Sequence, residues 1–262
     1  MVRVYGAVFG DVTDRATRKL GRVGGPDQGA VIDRPRPWWV PIASGRICYL
    51  DDFEDTLRWA QSTATISKAS DPKFVHSGAS ALKGVTAATA GISAAAEIFL
   101  APLAESSTYA ALGFWACLNA AADDTPRDLY VTWLVDDRAN NAGHIFGLRF
   151  VNYIGTVQRK LQYWNSAGAW ADVTDGTARM RITAPEFRYF GITIKRTAGT
   201  AWKYEQLKMD GRTFSLTAVA GEPMTFAIPD QDIVLGCTTD AAAATTMYVD
   251  DFSIVDMLEE IE

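Results

Sequence analysis

Three aromatic residues near one turn are the first side chains whose types suggest a binding chemistry. Tyr163, Trp164 and Trp170 flank the short segment 165–169. Aromatic rings that reach solvent can stack on the apolar face of a sugar, and neighbouring polar groups can bond to its hydroxyls. These residues are therefore our candidates for a glycan-binding platform. A core or interface role would explain Trp170 equally well, and both interpretations stay open.

Carboxylates are the other side chains that could act on a glycan. A glycoside hydrolase needs two carboxyl groups on one face, about 5 Å apart in the retaining case. Glu97 stands alone in an apolar run, Glu105 lies in a serine-rich turn, and Asp136-Asp137 ends a strand-like run where a solvated turn is expected. The sequence also has no Gly-x-Ser-x-Gly, P-loop or dinucleotide-binding motif. We therefore expect a non-enzymatic protein and keep glycoside hydrolase as a third hypothesis.

Charge is distributed unevenly along the 262 residues. The net charge is −6, although residues 1–46 contain eight Arg or Lys against four Asp. These basic residues alternate with Asp and Pro, so they do not form the dense patch that favours phosphate binding. We expect no nucleic-acid partner. We also expect no membrane span, because no run approaches the ~20 apolar residues that a membrane helix needs.

The cysteines and the first residues indicate no special chemistry or targeting. Cys48, Cys117 and Cys237 are far apart and form no Cys-x-x-Cys pair, which argues against a zinc site or a disulfide framework. Each lies in an apolar run, so we interpret it as a small buried hydrophobe. The opening Met-Val-Arg-Val-Tyr-Gly has no apolar segment after its charge, so we expect no secretory signal peptide.

Short strand-like runs must position these side chains. From residue 46 onward, runs rich in β-branched and aromatic residues are separated by Gly, Asn, Asp and Pro, and no stretch keeps a helical period for three turns. The spacing predicts an all-β fold, a sandwich of two antiparallel sheets. Trp115 and Trp133 lie within apolar alternation, so we predict that both belong to its core. The predicted strands are 46–53, 64–68, 73–76, 80–85, 94–100, 108–119, 127–136, 143–152, 157–164, 169–173, 187–197, 201–209, 212–217, 231–238 and 246–255.

Two hairpins can be predicted in detail. Residues 161–164 and 170–173 flank a glycine-containing loop of hairpin length. Residues 190–196 and 202–209 flank a second loop, after which Asp210-Gly211 turns the chain back. Asp-Gly between alternating runs is a strong hairpin signal.

The first 45 residues differ in kind from the rest. The glycine pair at 24–25, the Arg-Pro-Arg-Pro run at 34–37 and Pro41 forbid a long helix or a central strand. We therefore predict an extended N-terminal arm at 1–45, a sandwich at 46–257 and a short acidic tail at 258–262. A basic arm on an acidic body suits docking onto an acidic neighbour, and large aromatic residues in an arm are buried only against a partner. The candidate interface residues are Arg15, Arg18, Arg22, Trp38 and Trp39, and the alternative is a loosely held, solvated tail.

The predicted sandwich resembles a known fold. The runs Phe-Arg-Tyr-Phe-Gly-Ile-Thr-Ile at 187–194, Trp-Lys-Tyr-Glu-Gln-Leu-Lys-Met-Asp-Gly-Arg-Thr-Phe-Ser-Leu at 202–216 and Met-Tyr-Val-Asp-Asp-Phe-Ser-Ile at 247–254 resemble the second half of a concanavalin A-like (laminin-G-like) jelly roll. Asp-Asp-Phe-Glu-Asp at 51–55, Trp59 and His-Ser-Gly-Ala-Ser-Ala-Leu-Lys at 76–83 are similar to the opening of carbohydrate-binding jelly rolls. The resemblance covers about residues 48–256 and implies a two-sheet antiparallel jelly-roll sandwich. Its motifs specify the fold far more than the function, since this superfold hosts lectins, hydrolases, adhesins and viral structural proteins.

The same resemblance implies a structural calcium ion. In such jelly rolls the ion joins the first strand, the loop after a Ser-Gly turn and the last strand, and the matching positions are Glu54, Ser77 and Asp251, with Asp52 and Asp250 nearby. Ca²⁺ takes six to eight oxygen ligands, which carboxylates from distant parts of the chain and backbone carbonyls can supply. The alternative is that these acidic residues are solvated charges at strand ends.

The arm resembles a second group of proteins. Tyr-Gly-Ala-Val-Phe-Gly at 5–10, leading into Asp-Arg-Ala-Thr-Arg-Lys-Leu-Gly-Arg-Val at 14–23, is similar to N-terminal segments of tailed-bacteriophage structural proteins. Our first hypothesis is thus a capsid-decorating or tail-associated virion protein, assembled in the host cytoplasm, whose partners are other virion proteins or copies of itself. The alternative is a carbohydrate-binding module, lectin or adhesin domain whose partners are glycans. The two hypotheses are compatible.

Overall fold

The computed structural model describes residues 45–61, 65–86, 93–103, 106–119, 127–137, 142–152, 159–177, 182, 185–197, 200–224, 230–239 and 244–257. The predicted acidic tail and residues 1–44 of the predicted arm lie outside these ranges. The arm, the domain boundaries and the interface residues Arg15, Arg18, Arg22, Trp38 and Trp39 therefore stay predictions.

The described part of the chain forms sixteen strands and one 3₁₀ turn, Pro72–Phe74. The strands are β1 Gly45–Asp51, β2 Ala60–Gln61, β3 Thr65–Ala69, β4 Ala81–Val85, β5 Ser93–Leu100, β6 Tyr109–Leu118, β7 Arg127–Asp137, β8 Ala142–Val151, β9 Lys160–Trp164, β10 Trp170–Thr177, β11 Arg188–Lys195, β12 Lys203–Met209, β13 Arg212–Ser215, β14 Glu222–Met224, β15 Gln231–Thr239 and β16 Thr246–Met257.

These strands pair in two antiparallel sheets. Sheet A has the order β13, β12, β11, β6, β16, β4, β3, and β1 also pairs with β16. Sheet B has the order β10, β9, β8, β7, β15, β5, β2, and β14 also pairs with β8. The all-β, two-sheet jelly-roll prediction is confirmed.

The main core lies between the sheets because the central strands alternate. On β6, Leu112 and Phe114 face sheet B, and on β7, Val131 and Trp133 face sheet A, all of them buried. Removing a side chain of this size from water stabilises the fold by about 1.5–3 kcal/mol. The prediction that Trp133 belongs to the core is confirmed. The cysteines follow their prediction as well, with Cys117 and Cys237 buried and Cys48 packed against the core.

Two interpretations from the sequence were wrong. Residues 73–76 are not a strand, because Pro72 favours the start of a helical turn and Asp71 accepts a hydrogen bond from the Lys73 backbone N–H at 3.2 Å. Trp115 is not in the main core, because it faces outward from sheet A and stacks on His76 with ring centroids 4.1 Å apart.

Two short strands were missed. β2 contains only two residues, which is too few to show an alternating pattern. β14 contains Pro223, a residue that normally argues against a strand and is tolerated here because β14 pairs with β8 alone.

Both predicted hairpins are confirmed. Trp164 pairs with Trp170 across β9 and β10, and β11 pairs with β12 and then β12 with β13. Asp210 and Gly211 both have positive φ, 51° and 82°. Positive φ at both central residues is the type I′ turn, which suits the twist of a two-residue hairpin.

One strand in each sheet offers the same edge to two partners in succession. β16 pairs with β4 through residues 246–249 and with β1 through 252–257. β8 pairs with β14 through 143–145 and with β9 through 148–151. The residues in between therefore lie in a gap in the hydrogen-bond ladder, and buried backbone groups there need partners from elsewhere. Both candidate sites lie at these gaps.

Candidate functional site

Three aromatic rings meet on the outer face of sheet B. Trp164 and Trp170 are directly opposed in the β9–β10 hairpin, which places both side chains on the same face. Their rings meet edge to face, with centroids 4.9 Å apart, and Tyr130 of β7 meets Trp170 at 6.4 Å. All three side chains are partly exposed. We call these three residues the Trp platform.

Tyr163 does not belong to the Trp platform. Successive residues of a strand point to opposite faces, so Tyr163 faces inward where its neighbour Trp164 faces outward. Its ring packs against the core and meets Tyr204 at a centroid distance of 5.7 Å. The structure thus brings together two of the three predicted platform residues and places the third on the inner side of the sheet.

A polar network runs beside the Trp platform. The Arg149 guanidinium lies over the Trp170 ring, 4.9 Å from its centroid, and its Nε donates to Gln162 Oε1 at 2.7 Å. Gln162 Nε2 donates in turn to Asp172 Oδ1 at 2.6 Å, and Lys160 Nζ donates to Asp172 Oδ2 at 2.8 Å. The hydrogen bond from Lys160 lowers the pKa of Asp172, which keeps it ionised. Polar groups are thereby held in fixed positions next to the rings.

Gly147 lies below the platform, in the ladder gap of β8. A Cβ atom there would stand 3.1 Å from Trp170 Cη2 and 3.0 Å from Trp164 Cβ, so glycine lets the indoles lie close to the strand. The Tyr204 hydroxyl accepts from Gly147 N–H at 2.6 Å and lies 3.1 Å from the Gly147 carbonyl and 2.9 Å from the Trp164 carbonyl. Burial raises the pKa of Tyr204, so the hydroxyl remains protonated.

Two further contacts fix the platform from different elements. Tyr204 belongs to β12 in sheet A, so its hydroxyl ties the two sheets together beneath the rings. Trp164 Nε1 donates to Glu222 Oε2 on β14 at 2.6 Å. Trp164 therefore has little freedom to rotate, as a preformed binding surface requires.

The second site occupies the ladder gap of β16. Asp250 is fully buried, and its Oδ2 accepts from the backbone N–H groups of His76 at 2.9 Å and Ser77 at 2.7 Å. Asp251, at a positive φ of 48°, accepts from Ser77 Oγ at 2.7 Å, and its other carboxylate oxygen lies 3.0 Å from His76 Nδ1. The 76–77 segment is thereby held to the last strand by two adjacent carboxylates.

Glu54 binds the other side of the same turn. Its Oε1 accepts from the Ala79 N–H at 2.5 Å and the Ser80 N–H at 3.1 Å. Gly78 directly precedes these two residues with a φ of +72°, and any Cβ at this position would collide with the Glu54 carboxylate. Of the predicted calcium ligands, Ser77 and Asp251 are therefore in contact, whereas Glu54 faces amides of the turn.

The donor types of this cluster fit a calcium ion in part. One ligand atom each from His76, Asp250 and Asp251 lie within 4.8 Å of one another. Carboxylates and the Ser77 hydroxyl are the hard oxygen donors that Ca²⁺ prefers, and imidazole is not. Glu54 would join only if its carboxylate left the turn amides. Sequence reasoning overlooked the nearness of His76, although its position directly before Ser77 was a usable signal.

A carboxyl pair on the outer face of sheet B was also missed. Glu97 of β5 is not alone, because it hydrogen-bonds to the Asp232 carboxyl on β15. Burial, together with the neighbouring Glu97 carboxyl, raises the pKa of Asp232 to about 6, so Asp232 is protonated below that pH.

Known proteins resemble this chain in fold and not in sequence. No protein-family model and no curated protein matches it. The chain is similar to an endo-β-1,4-glucuronan lyase from the fungus Trichoderma reesei, with TM-score 0.52 and 13% identity over 80% of this chain and 95% of that one. It is also similar to the carbohydrate recognition domain of Emp46p in its potassium-bound form, with TM-score 0.51 and 10% identity over 82% and 97%.

The part of the chain that the structure describes contains no helix long and apolar enough to cross a membrane. Its two antiparallel sheets and these structural likenesses make it a jelly-roll sandwich of the concanavalin A-like type.

Proposed function

We propose that this chain is a non-enzymatic carbohydrate-binding domain that holds a glycan on the Trp platform. The observation that carries the proposal is the meeting of Trp164 and Trp170 on the outer face of sheet B, with the Arg149 network beside them. Partly exposed rings supply stacking surface for a sugar, and the fixed polar groups supply hydrogen bonds to its hydroxyls. The two similar structures, a polysaccharide lyase and a carbohydrate recognition domain, are compatible with this proposal.

Trp170→Ala is expected to weaken glycan binding by at least about tenfold, because the variant loses the stacking surface and the ring beneath Arg149. Glycan-array screening of the full-length chain identifies the ligand, and titration calorimetry then compares the affinities. Tyr163→Phe is the matched control, since Tyr163 is next to Trp164 in sequence but faces inward. The glycan affinity of this variant should equal that of the wild type. An unchanged affinity in Trp170→Ala would refute the platform.

The proposal includes a structural calcium ion held by Asp250, Asp251 and Ser77. When bound, the ion would neutralise two adjacent carboxylates where β1, β4 and the 76–77 segment meet β16. A ligand that binds only the folded state raises its stability. We therefore expect a chelator to lower the melting temperature by several degrees and added Ca²⁺, but not Mg²⁺, to restore it. If neither the chelator nor added Ca²⁺ changes the melting temperature, the proposed calcium ion is wrong.

The more specific hypothesis of a tailed-phage virion protein depends on the N-terminal arm. Residues 1–44 lie outside the described residues, so virion partners, self-association and virion localisation stay predictions. A glycan-binding domain displayed on a particle would satisfy both hypotheses.

A further inference from the structure

The outer face of sheet B carries one more aromatic side chain, far from the Trp platform. Phe99 of β5 is 61% exposed, more than any other large hydrophobic residue that the structure describes. It pairs directly with Asp232 of β15, so the two side chains share this face. Glu97, two residues before Phe99, also points outward and bonds to Asp232. An exposed ring and a carboxyl pair therefore lie together near this edge.

A row of small residues connects this edge to the platform. The strand register places Glu97 opposite Val234, Val234 opposite Thr132, and Thr132 opposite Gly147. Gly147 is the residue on which the Trp170 ring rests. With a strand spacing of about 4.8 Å, Glu97 and Gly147 lie roughly 14 Å apart across the sheet. No large side chain of the row stands between the two aromatic ends.

The charge at the Phe99 end constrains which ligand can lie there. Asp232 is ionised above a pH of about 6, so the pair is negatively charged near neutral pH and offers acceptor oxygens on the same face as an exposed ring. Such a group accepts hydrogen bonds from sugar hydroxyls. It repels a uronate or sulfate at the same position, because like charges in contact are unfavourable.

We propose that Phe99 and the Glu97–Asp232 pair form a second subsite for the glycan of the Trp platform. The ligand is then an extended neutral oligosaccharide that crosses the strands of sheet B. A single sugar is too short to reach both subsites, and an acidic chain is repelled by the carboxyl pair. This inference rests on the proposed function and adds the length and charge of the ligand to it.

Titration calorimetry with ligands of two lengths tests the subsite. The probes are the disaccharides and hexasaccharides of β-1,4-linked glucan, xylan and mannan, and the hexasaccharide of glucuronan. The wild-type chain should bind its preferred neutral hexasaccharide at least about tenfold more tightly than the disaccharide. Phe99→Ala should lower the hexasaccharide affinity roughly three- to tenfold and leave the disaccharide affinity unchanged. Thr213→Ala, an exposed change on sheet A, is the control and should alter neither affinity.

A charge-neutral double variant tests the second half of the inference. Glu97→Gln with Asp232→Asn keeps polar groups at both positions and removes the negative charge. Binding of the glucuronan hexasaccharide should strengthen in this variant relative to the wild type, while the circular dichroism spectrum stays the same.

The outcomes separate the two proposals. If Trp170→Ala abolishes binding while Phe99→Ala leaves the hexasaccharide affinity unchanged, the second subsite is wrong and the proposed function stands. A wild-type chain that prefers the glucuronan hexasaccharide would also overturn the subsite. A wild-type chain that binds none of the oligosaccharides and no glycan of the array would overturn both.

Discussion

Replacing Asp250 with alanine is expected to lower the free energy of unfolding by about 3–5 kcal/mol, the range for removing one partner of a buried charged contact. The carboxylate is fully buried and accepts from three backbone N–H groups, those of His76, Ser77 and Asp251. The variant leaves these donors without that partner in the ladder gap of β16, where no neighbouring strand can serve them. Urea denaturation, monitored by tryptophan fluorescence, measures the change in the free energy of unfolding.

Asp71→Ala is the matched control for this change. Asp71 also accepts a backbone hydrogen bond, from Lys73, but it is exposed at the start of a 3₁₀ turn. Its loss should lower the free energy of unfolding far less than the loss of Asp250, because water can replace an exposed hydrogen-bond partner. If Asp250→Ala costs no more than Asp71→Ala, the buried carboxylate does not hold the 76–77 segment to the last strand.

Trp133→Ala is expected to destabilise the sandwich by a similar amount, about 3–5 kcal/mol. Trp133 is fully buried on β7, so the variant opens a cavity between the sheets. Its Nε1 donates to Gln231 Oε1 at 2.9 Å, and Gln231 Nε2 donates to the Ala101 carbonyl at 2.6 Å. Loss of the indole therefore also removes a donor from the buried Gln231. A typical domain has only about 5–15 kcal/mol of stability, so thermal melting should show a large shift.

Trp170→Ala provides the contrast for Trp133→Ala. Both residues are tryptophans of sheet B, but Trp170 faces outward and is partly exposed. We expect Trp170→Ala to reduce glycan affinity and to lower the free energy of unfolding less than Trp133→Ala does. In Trp133→Ala the main effect should be the loss of stability. Equal losses of stability in the two variants would contradict the assignment of Trp170 to a surface platform.

The strands and their alternation could be predicted because they depend on local sequence. The run from 127 to 136 alternates with Leu134 as the one exception, so a strand with Trp133 inside followed from residue types alone. The same alternation places Tyr163 and Trp164 on opposite faces. The predicted platform was wrong for Tyr163 because it grouped the residues only by their nearness to one turn. Trp115 was misplaced because the outer face of sheet A is itself partly apolar, with Tyr109, Tyr189 and Val255 beside it.

The contacts between distant strands could not be predicted. Alternation does not tell which strands become neighbours, so nothing in the sequence joined Glu97 to Asp232. The convergence of Ser77 with Asp251 was accessible only through the resemblance to known jelly rolls. The role of Tyr204 depends on where β9 and β14 stop along β8, which is a property of register and not of composition.

The gap in β8 has a consequence for how closure of the sandwich can be observed. Amides inside a ladder can be protected from solvent exchange as soon as one sheet exists, whereas the Gly147 amide finds its acceptor on a tyrosine of the opposite sheet. Its protection therefore marks the docking of the two layers. In pulse-labelling during refolding, the time at which the Gly147 amide becomes protected reports when the two sheets dock. The amides inside each ladder report when each sheet forms.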